Sequence, residues 1–341
     1  PGGPFAHKRF LAGIVAAQMF SGAAAFVWLR QKFGEKTALI GSLLYLLFPY
    51  KLVYLWVHHN LAQFWALVWL PLWMLAAEKI IARKPGGIVA YAICLALVTY
   101  THLLTLIAFI AVPAFYVLCC SADRLFKRIT VLAAAHALGL GLSAAYLLPM
   151  LFNRQFIWSD GFLINTYNAL YNLRHVDTYF CLYYLAIIGL TAGLISRLPA
   201  PASEAEKENR RRFWFFTATA AALWLMTTSL SRPIWVLIPF LQYLQFPMAR
   251  LHAGLLIVSL WIAAYGLTLW QSSRMCVPAW AQRLYSPYTA LLTVMICGAI
   301  AYHVTQLQYF CKSAYIYTGI PLREVHRVNA IPPLEYITIW H

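Results

Sequence analysis

The residues best able to do chemistry are ionisable groups at the edges of long apolar runs. Two clusters stand out. In LLYLLFPYKLVYLWVHHNLAQFW, residues 43–65, Pro49 can open a short helix on which Tyr50, Tyr54 and His58 share one face at i, i+4 and i+8, with Lys51 and His59 alongside. In IPFLQYLQFPMARLHAG, residues 238–254, Pro247 can open the next helix and put Arg250 in its first turn. A cation there opposes the helix dipole by roughly 0.3–1 kcal/mol unless an anion sits nearby, so Arg250 at a helix N-terminus predicts a phosphate site. His102, at a Thr-Tyr-Thr-His break in another apolar run, adds a third group. Lys51, His58, His59, His102 and Arg250 are thus the candidates for binding a substrate phosphate. Bland readings stand beside each: an aromatic belt with a snorkelling Lys51, lipid head groups around Arg250, and a backbone cap for His102. Asn60 and Gln63 fit a capping box. Carboxylates are scarce in the same regions; Asp160 and Asp177 are the weak catalytic candidates, and Asp177 also suits a helix cap.

The elements that must carry these groups are membrane helices. Of the 341 residues, 62% are hydrophobic and 11% charged, far too few charges to cover a soluble protein of this length. Passes are expected at 10–29, 37–57, 61–81, 88–101, 103–120, 130–150, 179–196, 213–230, 250–270 and 287–306. The run 88–120 reads as a hairpin broken near His102, because the segments on both sides of it are basic. Loops 30–36, 79–87, 121–129, 197–212 and 271–286 hold 16 of the 26 Lys and Arg residues and are assigned to the cytoplasmic side. That placement accounts for much of the net charge of +16 without a nucleic-acid partner, and it leaves Lys51, His102 and Arg250 on the outer side. SEAEKENRRR is read as a solvated linker, with its arginines as a topology anchor. The expected fold is an all-α polytopic transmembrane bundle of about ten passes over residues 1–306, followed by an outer-side segment, 307–341. The chain opens on PGGPFAHKRF and is expected to be a fragment.

P-loop, GxSxG, HExxH and GxGxxG patterns are absent, so NTP-driven transport, serine hydrolysis, zinc proteolysis and dinucleotide chemistry lack support. The seven cysteines show neither a disulfide framework nor metal spacing, and no cofactor is identified, a divalent metal being left open.

The block LIGSLLYLLFPYKLVYLWVHHNLAQFWALVWLPLWMLA, with Tyr45, Pro49, Tyr50, Pro71 and Leu72, resembles one in bacterial integral membrane proteins related to 6-pyruvoyl-tetrahydropterin synthase, which are similar to the GT-C glycosyltransferases. His102 fits a Thr-His signature of that family, and Gln245, Phe246, Pro247 and Arg250 fit a Gln-Phe-Pro-aromatic-Arg element. The terminal Leu334, Glu335 and Tyr336 fit a Glu-Tyr-Leu-Pro element. His59 and Gln63 stand where the family usually has a cation and a carboxylate. The resemblance implies a multi-pass protein of the bacterial inner membrane, C-terminus periplasmic, that uses a polyprenyl-phosphate-linked sugar. It implies a catalytic carboxylate in an outer loop upstream of Pro1. A lipid-linked saccharide transporter, with His136 as its main mid-membrane polar group, and a non-catalytic envelope scaffold are the alternatives.

Overall fold

The computed structural model describes residues 4–48, 51, 60–153, 173, 187–189, 191–193, 195–196, 203–244 and 246–274. Among them every regular element is helical: α1 Pro4–Leu46, α2 Leu61–Ile81, α3 Gly87–Thr101, α4 Leu103–Phe109, α5 Ala111–Cys120, α6 Leu125–Leu142, α7 Ala144–Phe152, α8 Glu204–Leu225, α9 Arg232–Leu237 and α10 Pro247–Arg274. Short 3-10 turns at Ser229–Ser231 and Pro239–Leu244 flank α9. Five helical stretches are long and apolar enough to cross a membrane, or six when α8 and the bent segment after it count together. About ten passes were expected; 287–306, most of 179–196 and part of 37–57 lie outside the described residues.

Two of the long stretches fold back on themselves, which reconciles part of that difference. In α1 the backbone leaves helical geometry at Gly34, with φ 77° and ψ 174°. Gln18 Nε2 donates to the Leu46 carbonyl at 2.8 Å. On one continuous helix those residues would stand about 42 Å apart. Residues 4–33 and 35–46 therefore run antiparallel, as expected for the ends of two separate passes, with Arg30 and Glu35 paired across the turn at 2.8 Å. Only glycine adopts the Gly34 conformation without strain. A Cβ there would meet no atom within 4 Å, so Gly34→Ala tests the backbone alone. It is expected to lower stability by about 1–3 kcal/mol, read as a fall in melting temperature in detergent.

The second fold-back is at His102. Trp73 packs against Tyr91 of α3 at 5.4 Å and Phe109 of α4 at 5.8 Å between ring centroids, so Tyr91 and Phe109 lie no more than about 11 Å apart. A continuous helix would spread them about 27 Å. The hairpin expected from loop charge is therefore formed, and its tip is tied to α2 by Trp69 Nε1 donating to Thr101 Oγ1 at 3.0 Å.

The helices pack into two compact units. The larger takes residues 1–46 and 65–277; the described residues of the other are 47, 48, 51 and 60–64. In the larger unit α10 is buried along nearly its whole length, the position that suits a helix apolar on all sides. It runs antiparallel to α8, with Phe216 on Trp261 at 4.7 Å and Phe213 on Tyr265 at 6.2 Å. Phe33 of α1 reaches Trp261 at 5.5 Å. The α3 and α6 helices run parallel and close: a Cβ on Gly139 would lie 3.0 Å from the Ala92 carbonyl oxygen, so any larger residue there would have to push the two backbones slightly apart.

The polar connections converge at one end. Lys32 lies 3.8 Å from Glu78, Arg212 2.6 Å from the same carboxylate, Arg83 2.6 Å from Asp123, and Thr37 donates to Gln271 at 3.4 Å. The segments assigned to one side by charge thus share one end of the unit. One expectation is corrected there. SEAEKENRRR is no solvated linker: from Glu204 it forms the first turns of α8, capped by Ser203 Oγ accepting from the Glu206 N–H at 3.2 Å. The last arginine, Arg212, is buried, because helical spacing turns it inward onto Glu78 of α2 and Glu208 one turn back.

Candidate functional site

Arg250 and His102 both lie at the end opposite those basic segments. Pro247 opens α10 as expected, and Arg250 occupies its first turn with only 4% of its surface exposed. His102 is the extended residue between α3 and α4, at φ −161° and ψ 99°. The α4 segment packs against α10, which brings the His102 ring within the electrostatic reach of the Arg250 guanidinium. An apolar floor lies next to both: Ala108, Trp235, Leu244 and Leu251 are buried together, with Leu104 packed against them.

The two groups differ in charge. His102 Nδ1 accepts from the Thr105 backbone N–H at 3.1 Å and lies 2.8 Å from the Thr105 hydroxyl. An accepting Nδ1 carries no proton, so the ring is neutral with its proton on Nε2. In the turn between the two segments, burial first and the Arg250 charge second push the His102 pKa down to about 3. Folding therefore opposes protonation, and stability is lost as pH falls below the ordinary histidine range, about 6.5, toward 3. His102→Asn can keep the cap but cannot titrate, whereas His102→Ala loses the cap at about 1 kcal/mol. Thermal melts between pH 7.5 and 5 are expected to fall for the native chain and to stay flatter for His102→Asn.

The approach of α8 to α10 is shaped at the same end. After Leu225 the chain bends by 87° into Ser229–Leu237. Trp235 anchors that bend, its indole N–H directed at the Met226 carbonyl, 3.1 Å, and the Ser231 hydroxyl, 2.9 Å. Around the bend Leu230, Val236 and Leu237, and Phe240 just after it, are exposed apolar side chains.

Lys51 lies in the smaller unit, fully buried, its ammonium 5.4 Å from the centroid of the Phe64 ring and its backbone N–H bonded to the Phe48 carbonyl at 3.0 Å. In that unit Asn60 caps α2, its Oδ1 accepting from the Gln63 N–H at 2.9 Å while its Nδ2 donates to Gln63 Oε1 at 3.2 Å. The capping box is thus formed through side chains. His58, His59, Asp160 and Asp177 lie outside the described residues. His136 is half-buried and hydrogen-bonded: Nδ1 lies 2.7 Å from the Leu132 carbonyl and Nε2 3.4 Å from the Tyr91 hydroxyl. Among the described residues no three His, Cys, Asp or Glu side chains gather to hold a metal.

Sequence reasoning missed a second polar centre, at the basic end. Glu78 receives Arg212 at 2.6 Å and the Tyr116 hydroxyl at 2.8 Å, Glu208 also pairs with Arg212, and the Arg212 guanidinium stands 5.6 Å from the Tyr116 ring centroid. The available signal was Glu78 itself, a carboxylate ending an otherwise apolar run.

The family model of the 6-pyruvoyl-tetrahydropterin synthase related domain, described as a membrane protein, matches residues 8–310. The chain belongs to this family. The match takes in the α3–α4 hairpin, α8 and α10, so both His102 and Arg250 lie inside the family domain. No curated protein and no solved structure matches the chain.

Proposed function

We propose that this chain is a membrane glycosyltransferase of the GT-C kind, using a polyprenyl-phosphate-linked sugar on the periplasmic face of a bacterial inner membrane. The observation that carries the reading is Arg250, buried in the first turn of α10 beside a neutral His102, at the end away from the basic segments. Neither the positive-inside rule nor the helix dipole favours a cation at that place, whereas a phosphate does. The positive-inside rule assigns this end to the outer face. The exposed Leu230, Val236, Leu237 and Phe240 after α8 are apolar surface of the kind that a polyprenyl chain can meet.

In the proposed reaction an acceptor hydroxyl oxygen attacks the anomeric carbon while a carboxylate takes its proton. The bond from that carbon to the phosphate oxygen breaks, and the electron pair stays on the phosphate. Arg250 stabilises the growing charge, and the His102 Nε2–H supplies a neutral donor. The carboxylate is not assigned to a residue; Asp160 and Asp177 remain the candidates within this sequence. A transporter would need polar groups across the middle of the bilayer, and His136 is engaged within its own helix and with Tyr91.

The test is transfer in proteoliposomes holding the full-length protein and a radiolabelled polyprenyl-phosphate sugar. Label appearing in a glycosidic product supports the reading. Label that crosses the bilayer still attached to the polyprenyl phosphate would make the protein a transporter instead.

A further inference from the structure

The turn between α2 and α3 and the turn between α5 and α6 line a half-open cavity of about 400 Å³ at the basic end of the larger unit. Its polar rim has four cations, Arg83, Lys84, Lys127 and Arg128, against a single carboxylate, Asp123. Asp123 is already shared by Arg83 at 2.6 Å and Lys127 at 3.2 Å. Arg128 is fixed by donating to the Leu118 and Asp123 carbonyls. The rim therefore keeps an excess of positive charge, with Arg83, Lys127 and Arg128 held in place. The α3 helix starts at this rim behind Gly86, which takes φ 75° and offers no capping side chain. The inner wall is apolar, formed by Val117 and Val131, and Ile88 and Val89 continue it onto the exposed surface of α3.

We propose that this cavity binds the phosphate head of an anionic glycerophospholipid, with its acyl chain leaving along Ile88 and Val89. Topology alone requires basic residues near the membrane but no cavity between them with an apolar wall. A free inorganic anion has no use for an apolar wall that opens to the surface, and an uncharged hydrocarbon has none for the cationic rim. An amphiphile with a phosphate head uses both. The cavity is at the other end of the unit from Arg250, so the proposal does not depend on the transferase reading.

The experiment titrates dioctanoyl phosphatidylglycerol into the purified full-length protein in a neutral detergent, with dioctanoyl phosphatidylcholine and inorganic phosphate as separate arms. Binding is read by microscale thermophoresis. Phosphatidylglycerol is expected to bind at least tenfold more tightly than phosphatidylcholine, more weakly as salt rises, and without displacement by millimolar phosphate. The pair Lys84→Ala and Lys127→Ala is expected to weaken it at least tenfold. Val131→Trp, which fills the wall and leaves every charge in place, is expected to do the same. Lys36→Ala with Lys207→Ala removes two exposed cations of this end that do not line the cavity, and is expected to stay within twofold of the native chain. An equal loss in that control pair would overturn the proposal in favour of diffuse surface charge. Displacement by phosphate would overturn it in favour of a free-anion site. Undiminished binding by either cavity variant would remove the cavity from the account.

Discussion

Glu78→Ala is expected to be the most destabilising single substitution considered for this chain, at about 3–5 kcal/mol. The carboxylate receives Arg212 at 2.6 Å and the Tyr116 hydroxyl at 2.8 Å, with Lys32 3.8 Å away, and so ties α1, α2, α5 and α8 together at one end. The Arg212 side chain is only 5% exposed. Removing Glu78 leaves Glu208, 41% exposed, as its remaining carboxylate partner, and strips the buried side of the guanidinium of its counter-charge. The cost comes from the cation left behind more than from the pair lost. Replacing both members, Glu78→Leu with Arg212→Met, is accordingly expected to recover most of the loss, because two charges then leave the interior together. Melting in detergent followed by tryptophan fluorescence separates these outcomes. If the single variant melts with the native chain, the four helices are not held by this carboxylate.

Arg250→Ala is expected to lower kcat for transfer from a polyprenyl-phosphate sugar by roughly 10²–10³-fold, the usual cost of removing a donor aimed at charge that develops in a transition state. Because Arg250 is buried, the alanine variant also leaves a void, and reduced activity alone would not separate chemistry from folding. Arg250→Lys decides between them. Lysine restores the charge but not the two-pronged donor geometry, so partial recovery of kcat at a native melting temperature is expected if the guanidinium meets a phosphate. An alanine variant that folds and transfers sugar at the native rate would sink the assignment of Arg250, and the glycosyltransferase reading would lose its chief support.

Much of this arrangement was legible in the residues because a membrane leaves the chain few choices. Apolar run lengths placed α2 and α10, whereas the run 130–150 is divided at Ser143 between α6 and α7; the spread of Lys and Arg grouped the segments near Lys32, Arg83, Asp123 and Gln271. Pro247 marked the start of α10, and Asn60 with Gln63 marked the start of α2. The sign of the charge on His102 was not legible. It depends on Nδ1 reaching the Thr105 N–H and on the nearness of Arg250, which is 148 positions away. Arg212 was read as solvated for a related reason: a run of three arginines looks like a surface, and only the packing of α8 on α2 turns its last member inward.

The sequence by itself determined that the chain is a helical membrane protein with a strongly basic face, since hydrophobic length and loop charge are local properties that the bilayer acts on directly. Tertiary structure decided which polar groups meet. Glu78 and Arg212 lie on different helices, and His102 lies in a turn far along the chain from Arg250, so their nearness depends on the fold-back at His102 and on how the helices pack. No run of adjacent residues records that geometry.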